Sequence, residues 1–159
     1  MLEKLKRVIR YLTLRLMRIN ATPHYIALGL AVGVFAGLLP ILPFQIVTAV
    51  GLAFVVRGSK IAAALGTWVS NPLNWVPLYM LSYYIGHAVL PFDIPPFTTF
   101  QLEMAEMVEL GWMFFAVMMV GGLVVATPSA IVSYFVALKG IRAYQARRKA
   151  RLSRQKSID

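Results

Sequence analysis

The sequence predicts an all-α integral membrane protein, and three observations carry that expectation. Hydrophobic residues make up 59% of the 159 residues and charged ones only 14%, with a mean hydropathy of +0.71; soluble domains run at roughly 45–50% and 25%. Three windows, 19–56, 61–92 and 110–138, contain no Asp, Glu, Lys or Arg, and each exceeds the ~20 residues that a spanning helix needs. The cations gather at the two ends. Lys4, Lys6, Arg7, Arg10, Arg15 and Arg18 precede the first window, and Lys139, Arg142, Arg147, Arg148, Lys149, Arg151, Arg154 and Lys156 follow the last. By the positive-inside rule both termini are expected in the cytoplasm, with a cytoplasmic interfacial helix over 1–20, a membrane domain over 23–138 and a basic tail over 139–159.

Residues 1–20 fit an amphipathic helix. Leu2, Leu5, Val8, Ile9, Leu12, Leu16 and Ile19 fall on one stripe at 100° per residue, with the six cations on the remaining surface. Such a helix suits the membrane interface, each cation contributing about 1 kcal/mol against anionic lipid, or it packs on its own protein. These residues are too polar for the apolar core of a signal peptide.

Thr22-Pro23 reads as a helix start, Thr as N-cap and Pro where its missing N–H costs nothing, with His24 beside it at the interface. Gly29, Gly33 and Gly37 then recur every four residues, a smooth face on which a second helix backbone can approach closely. Pro40 and Pro43 break this helix. At 1.5 Å per residue, His24 to Leu39 and Phe44 to Val56 each make only about 20–24 Å, short of the ~30 Å hydrocarbon core. Arg57 and Lys60 follow, so window one is expected to enter and return as a helical hairpin or re-entrant segment. In the rival topology it crosses once and window two forms the hairpin from outside.

Window two repeats the scheme, with Ala62, Gly66 and Ser70 four apart and then Pro72 and Pro77 as breaks. The connection to window three carries Asp93, Glu103, Glu106 and Glu109 and no cation, which suits the outer face. The three Glu share one side of a short helix over 101–110, a pattern read as its wet side rather than a metal site. Window three is expected as a kinked span, with Trp112 at its boundary, Gly121-Gly122 and Thr127-Pro128-Ser129 within, and the basic tail as a helical extension. Beside a span that tail suits orientation and anionic lipid better than nucleic acid.

A break such as SNPLNWVP survives in hydrocarbon only where it is buried in protein or faces water, because each unpaired polar group costs several kcal/mol. Thr67, Ser70, Asn71 and Asn74 can satisfy the freed backbone groups locally. Alternatively, two broken helices meet near the midplane and form a binding site there, as in many transporters, with Gln45 arriving from the other break and Tyr79, Tyr83 and Tyr84 supplying hydroxyls. Exposed helix starts would favour an anionic ligand. No Asp, Glu, Lys or Arg lies inside the windows, which hold two histidines, His24 and His87. There is no cysteine, no pairing of nucleophile with base, no phosphate loop and no metal-ligand spacing. Catalysis, cofactors and metals are therefore not expected.

The run PHYIALGLAVGVFAGLLPILPFQ, followed after a cation-bearing turn by AAALGTWVSNPLNWVPLYMLSYYIG, resembles the bacterial family called domain of unknown function 2062 over residues about 23–90. Its pattern falls on Gly29, Gly33, Gly37, Pro40, Pro43, Gln45, Gly66, Thr67, Trp68, Ser70, Asn71, Pro72, Pro77 and Tyr79, with departures at Phe44 and Asn74. The resemblance implies a bacterial inner-membrane protein, sometimes joined to envelope glycosyltransferase domains, with no assigned reaction. Two functions are expected from residues and resemblance together. One is a small transporter or binding protein for an anionic lipid or lipid-linked envelope intermediate, seated at the two breaks. The other is a non-catalytic scaffold for envelope-biogenesis enzymes, recruiting partner helices through its glycine faces. Either would suit a homo-oligomer or a partner membrane protein.

Overall fold

A computed structural model of the chain describes Arg7 and residues 22–71, 74–90 and 104–156, with side chains described except at 104–110, 149 and 151–156. The expected interfacial helix over 1–20 (Arg7 apart), Pro72, the connector at 91–103 and the Glu103, Glu106 and Glu109 side chains lie outside this description. Among the described residues there are five α-helices, one 3-10 turn and no strand. They are α1 Pro23–Leu38, α2 Gln45–Val55, α3 Lys60–Gly66 continued by the 3-10 turn Thr67–Val69, α4 Trp75–Val89 and α5 Met104–Lys156.

α1 begins as its sequence dictates: Thr22 Oγ1 accepts from the Tyr25 N–H at 3.3 Å, and Pro23 occupies the first turn. It ends at Leu38, and α2 begins at Gln45, directly after the Pro40–Pro43 segment. α2 stops at a Schellman turn, with Gly58 N–H donating to Ala53 O at 2.8 Å and Arg57 N–H to Phe54 O at 3.2 Å. Arg57 holds the left-handed position of that turn, with φ of 56°. Ser59 then caps α3, its Oγ accepting from the Ala62 N–H at 3.3 Å.

The glycines of α1 find their partner inside the chain. A Cβ added at Gly29 would collide with the Ser59 backbone, one at Gly33 with Ala63 O and Gly66 Cα, and one at Gly37 would lie 2.9 Å from Thr67 Cα. Ser59, Ala63 and Thr67 each stand 30 positions after the glycine they meet, so α1 and α3 run parallel. The first residues of α2 and α4, Gln45 and Trp75, keep the same interval. Ala62, expected on the small-residue face with Gly66, is fully buried and packs with Ile26 and Ala27 of α1 and with Ile141, while its neighbour Ala63 meets Gly33. α2 closes the other side through Ala49 and Ala53, which pack on Ala36 and Ala63.

α5 is the spine. It continues without a break through Pro128 and on into the basic region, as the helical extension expected there. The hydroxyls on either side of Pro128 turn back to the helix, Thr127 Oγ1 to Leu123 O at 2.8 Å and Ser129 Oγ to Val125 O at 2.7 Å. Gly121 and Gly122, expected within a kink, are points of close approach. A Cβ at Gly121 would strike Ser82 O, and one at Gly122 would lie 3.0 Å from Pro40 Cδ.

α1 and α4 both run antiparallel to α5, and they occupy different stretches of it. Ile26 and Ala27 pack with Ile141, His24 Nδ1 lies 2.7 Å from the Tyr134 hydroxyl, and Leu38 and Leu39 pack with Ala126. α4 takes over there. Leu78 joins the Leu38, Leu39 and Ala126 cluster, Ser82 meets Gly121, Gly86 meets Val117, and the Tyr83 ring sits 5.2 Å from that of Phe114. The two half-length helices thus stand end to end against one long helix. At 1.5 Å per residue their combined length is about 46 Å, close to the ~43 Å of the uncharged window 110–138.

Within α5, Gly111–Arg148 is long and apolar enough to cross a membrane; α1, α2 and α3 with its 3-10 turn are shorter apolar helices. Large apolar side chains point outward on most elements, including Val47, Phe54 and Val55 on α2, Val76 on α4 and Val132 and Val136 on α5.

Candidate binding site at the helix breaks

The ends of α1 and α3 lie side by side because the glycine contact holds them in parallel register, so both chain breaks fall at one level, opposite residues 119–126 of α5. Gln45 ties this level together. It is buried, and its Nε2 donates to Leu39 O at 3.1 Å, within its own break, and to the Tyr79 hydroxyl on α4 at 3.4 Å. The carbonyl freed by the end of α1 is thereby paired with a side chain that also reaches the second helix.

Asn74 organises the other break. Its Oδ1 accepts from the Asn71 N–H at 2.8 Å and its Nδ2 donates to Val69 O at 2.7 Å, bracing the segment on both sides of Pro72. Its side chain makes no capping bond to α4. α2 likewise starts at Phe44 without a side-chain cap, and neither helix has an acid in its first turn. Pro77, expected as a break, stands in the first turn of α4, where its missing N–H costs no helical hydrogen bond.

Two buried donors here have no partner: Ser70 Oγ, on a residue 8% exposed, and Trp75 Nε1. A buried polar group left unpaired costs about 1–3 kcal/mol, so such groups call for an explanation. They flank the start of α4. The site therefore offers an indole N–H, a hydroxyl and two helix starts with partial positive charge, and no anionic side chain is described there.

Of the residues singled out by sequence, Gln45, Ser70, Asn71, Asn74 and Tyr79 fall at the level of the breaks. Thr67 does structural duty: buried, it donates from Oγ1 to Ala64 O at 2.8 Å and presses its backbone on Gly37. Tyr83 lies a turn beyond Tyr79, packed on Phe114, and Tyr84 is exposed. Sequence reasoning passed over Trp75 as a donor. It also passed over Ser82 and Gly86, whose spacing of four is the same small-residue signal that marks α1.

The sequence model of a family described as "Uncharacterized protein conserved in bacteria (DUF2062)" matches residues 6–150. No curated protein and no solved structure matches the chain. The match extends well past the 23–90 stretch that carries the resemblance and takes in α5 with much of its basic extension. The chain belongs to the DUF2062 family.

Proposed function

We propose that this protein resides in the bacterial inner membrane and binds the polar group of an anionic lipid, or of a lipid-linked envelope intermediate, where its two helix breaks meet. The aliphatic outer surface supports the membrane setting, as does the gathering of exposed Arg57, Lys60, Lys139, Arg142 and Arg147 toward one end of the stack. The positive-inside rule makes that end cytoplasmic. α1–α2 is then a re-entrant hairpin, α3 with α4 is a broken span, and α5 returns. The breaks lie about 20–25 Å along α5 from Lys139, deep within the hydrocarbon.

The observation that carries the reading is the pair of unpartnered donors, Ser70 Oγ and Trp75 Nε1, beside two uncapped helix starts at that depth. In hydrocarbon such groups gain most from an acceptor with negative charge. A scaffold that recruits helices through Gly29, Gly33 and Gly37 is less favoured, since α3 already fills that face.

The test uses the absence of native cysteine. Asn71→Cys and Asn74→Cys proteins, with the thiol at half-buried positions of the break, are exposed in vesicles to a membrane-impermeant maleimide with and without phosphatidic acid. Labelling that phosphatidic acid suppresses is the expected result. Complete protection in the folded protein, with or without that lipid, would mean a sealed structural break and end the binding reading.

A further inference from the structure

An open groove of about 580 Å³ runs between α1 and α5, lined by Leu38, Val69, Pro128, Ser129, Val132 and Val136 among others. The residues on α5 follow one helical face, and that face continues beyond the groove. Gly140 comes next, where an added Cβ would meet nothing within 4 Å, then Ala143 and Arg147 in line, with Lys139 on the edge. Both cations are exposed. The groove is thus mainly aliphatic from Val69 to Val136, with Ser129 and Ser133 as its polar lining residues, and opens at one end only onto positive charge, the pattern of an amphiphile with a negative head.

Pro128 to Val136 spans about 12 Å, and the groove is open along that length, with room for an alkyl chain laid along it. We propose that it seats an acyl chain of an anionic phospholipid from the basic side of the membrane, with the headgroup held by Lys139 and Arg147 and the chain end reaching Val69, next to the second break. This rests on the membrane setting proposed above but not on a ligand at the breaks.

The full chain is reconstituted in vesicles with phosphatidylglycerol or phosphatidylcholine carrying a diazirine on one acyl chain, photolysed, and the adducts mapped by mass spectrometry. Adducts at 128–136 are expected roughly tenfold more often from phosphatidylglycerol, the cations contributing up to about fivefold each. The Lys139→Gln/Arg147→Gln double variant should bring the two lipids level. Val132→Trp should abolish the adducts by filling the groove, whereas Val124→Trp, on another exposed face of α5, should leave them. Equal labelling by both lipids in the unsubstituted protein, or adducts that survive Val132→Trp or vanish in both Trp variants, would overturn the site. Extraction of the protein into alkaline carbonate would overturn the membrane setting itself, a failure distinct from any labelling result.

Discussion

The Gln45 amide donates to the Tyr79 hydroxyl at 3.4 Å across 34 positions of sequence, while also donating to Leu39 O. One side chain therefore closes the break after α1 and joins it to α4, which begins after the other break. Gln45→Leu would remove two hydrogen bonds, one to the Tyr79 hydroxyl and one to the Leu39 carbonyl, which keeps the Ile41 N–H at 2.9 Å, and at about 0.5–1.5 kcal/mol each should destabilise the protein by about 1–3 kcal/mol. Tyr79→Phe removes only the longer bond and should cost less, about 0.5–1.5 kcal/mol. Thermal unfolding in detergent of both single variants and the double variant would give the coupling, expected to be non-zero because they share a bond.

The two uses of glycine separate cleanly. Gly33→Ala and Gly121→Ala drive a Cβ into Ala63 O and Ser82 O, backbone atoms that cannot swing aside, and each should cost about 1–3 kcal/mol. Gly51→Ala and Gly140→Ala meet nothing within 4 Å on helices and should stabilise by up to about 1 kcal/mol. A thermal-melt series over the four variants checks the order, and equal losses at all four would remove the close-approach explanation.

Asn74 acts as both acceptor and donor, so its isosteres should split. Asn74→Asp keeps an acceptor for the Asn71 N–H and, while protonated, an O–H that can still donate to Val69 O; ionised it loses that donation, and Asn74→Ala loses both bonds. Loss of stability should be larger for Ala than for Asp where Asp stays protonated, because the uncharged acid also retains a donor. Near neutral pH a charged Asp, half-buried at the break and without the donor to Val69 O, is expected to narrow that difference. Unfolding of the two variants at pH 4 and pH 7.5 measures it.

Much of this was legible from local chemistry. Thr22-Pro23 fixes the start of α1 to the residue, Pro40 and Pro43 bracket a real chain break, and Gln45 and Asn74 emerge as polar anchors because apolar windows have so few other donors. Pairing was not legible. The spacing of Gly29, Gly33 and Gly37 announces a close neighbour without saying whether it is another molecule or α3, or that Ala63 rather than Ala62 meets Gly33. Pro128 and Pro77 show the limit of proline as a signal. A helix tolerates it in the first turn, and α5 continues through it with packing and the Thr127 and Ser129 hydroxyls alongside.

The end-to-end placement of α1 and α4 along α5 is what brings the breaks together. It is tested most directly by a spin-label distance between single cysteines replacing Tyr25, near the start of α1, and Val89, at the end of α4, both exposed. Helices stacked in tandem place these positions about 40–50 Å apart. A distance near 20–25 Å would mean that α1 and α4 lie side by side, the breaks would be at opposite ends, and the composite site would not exist.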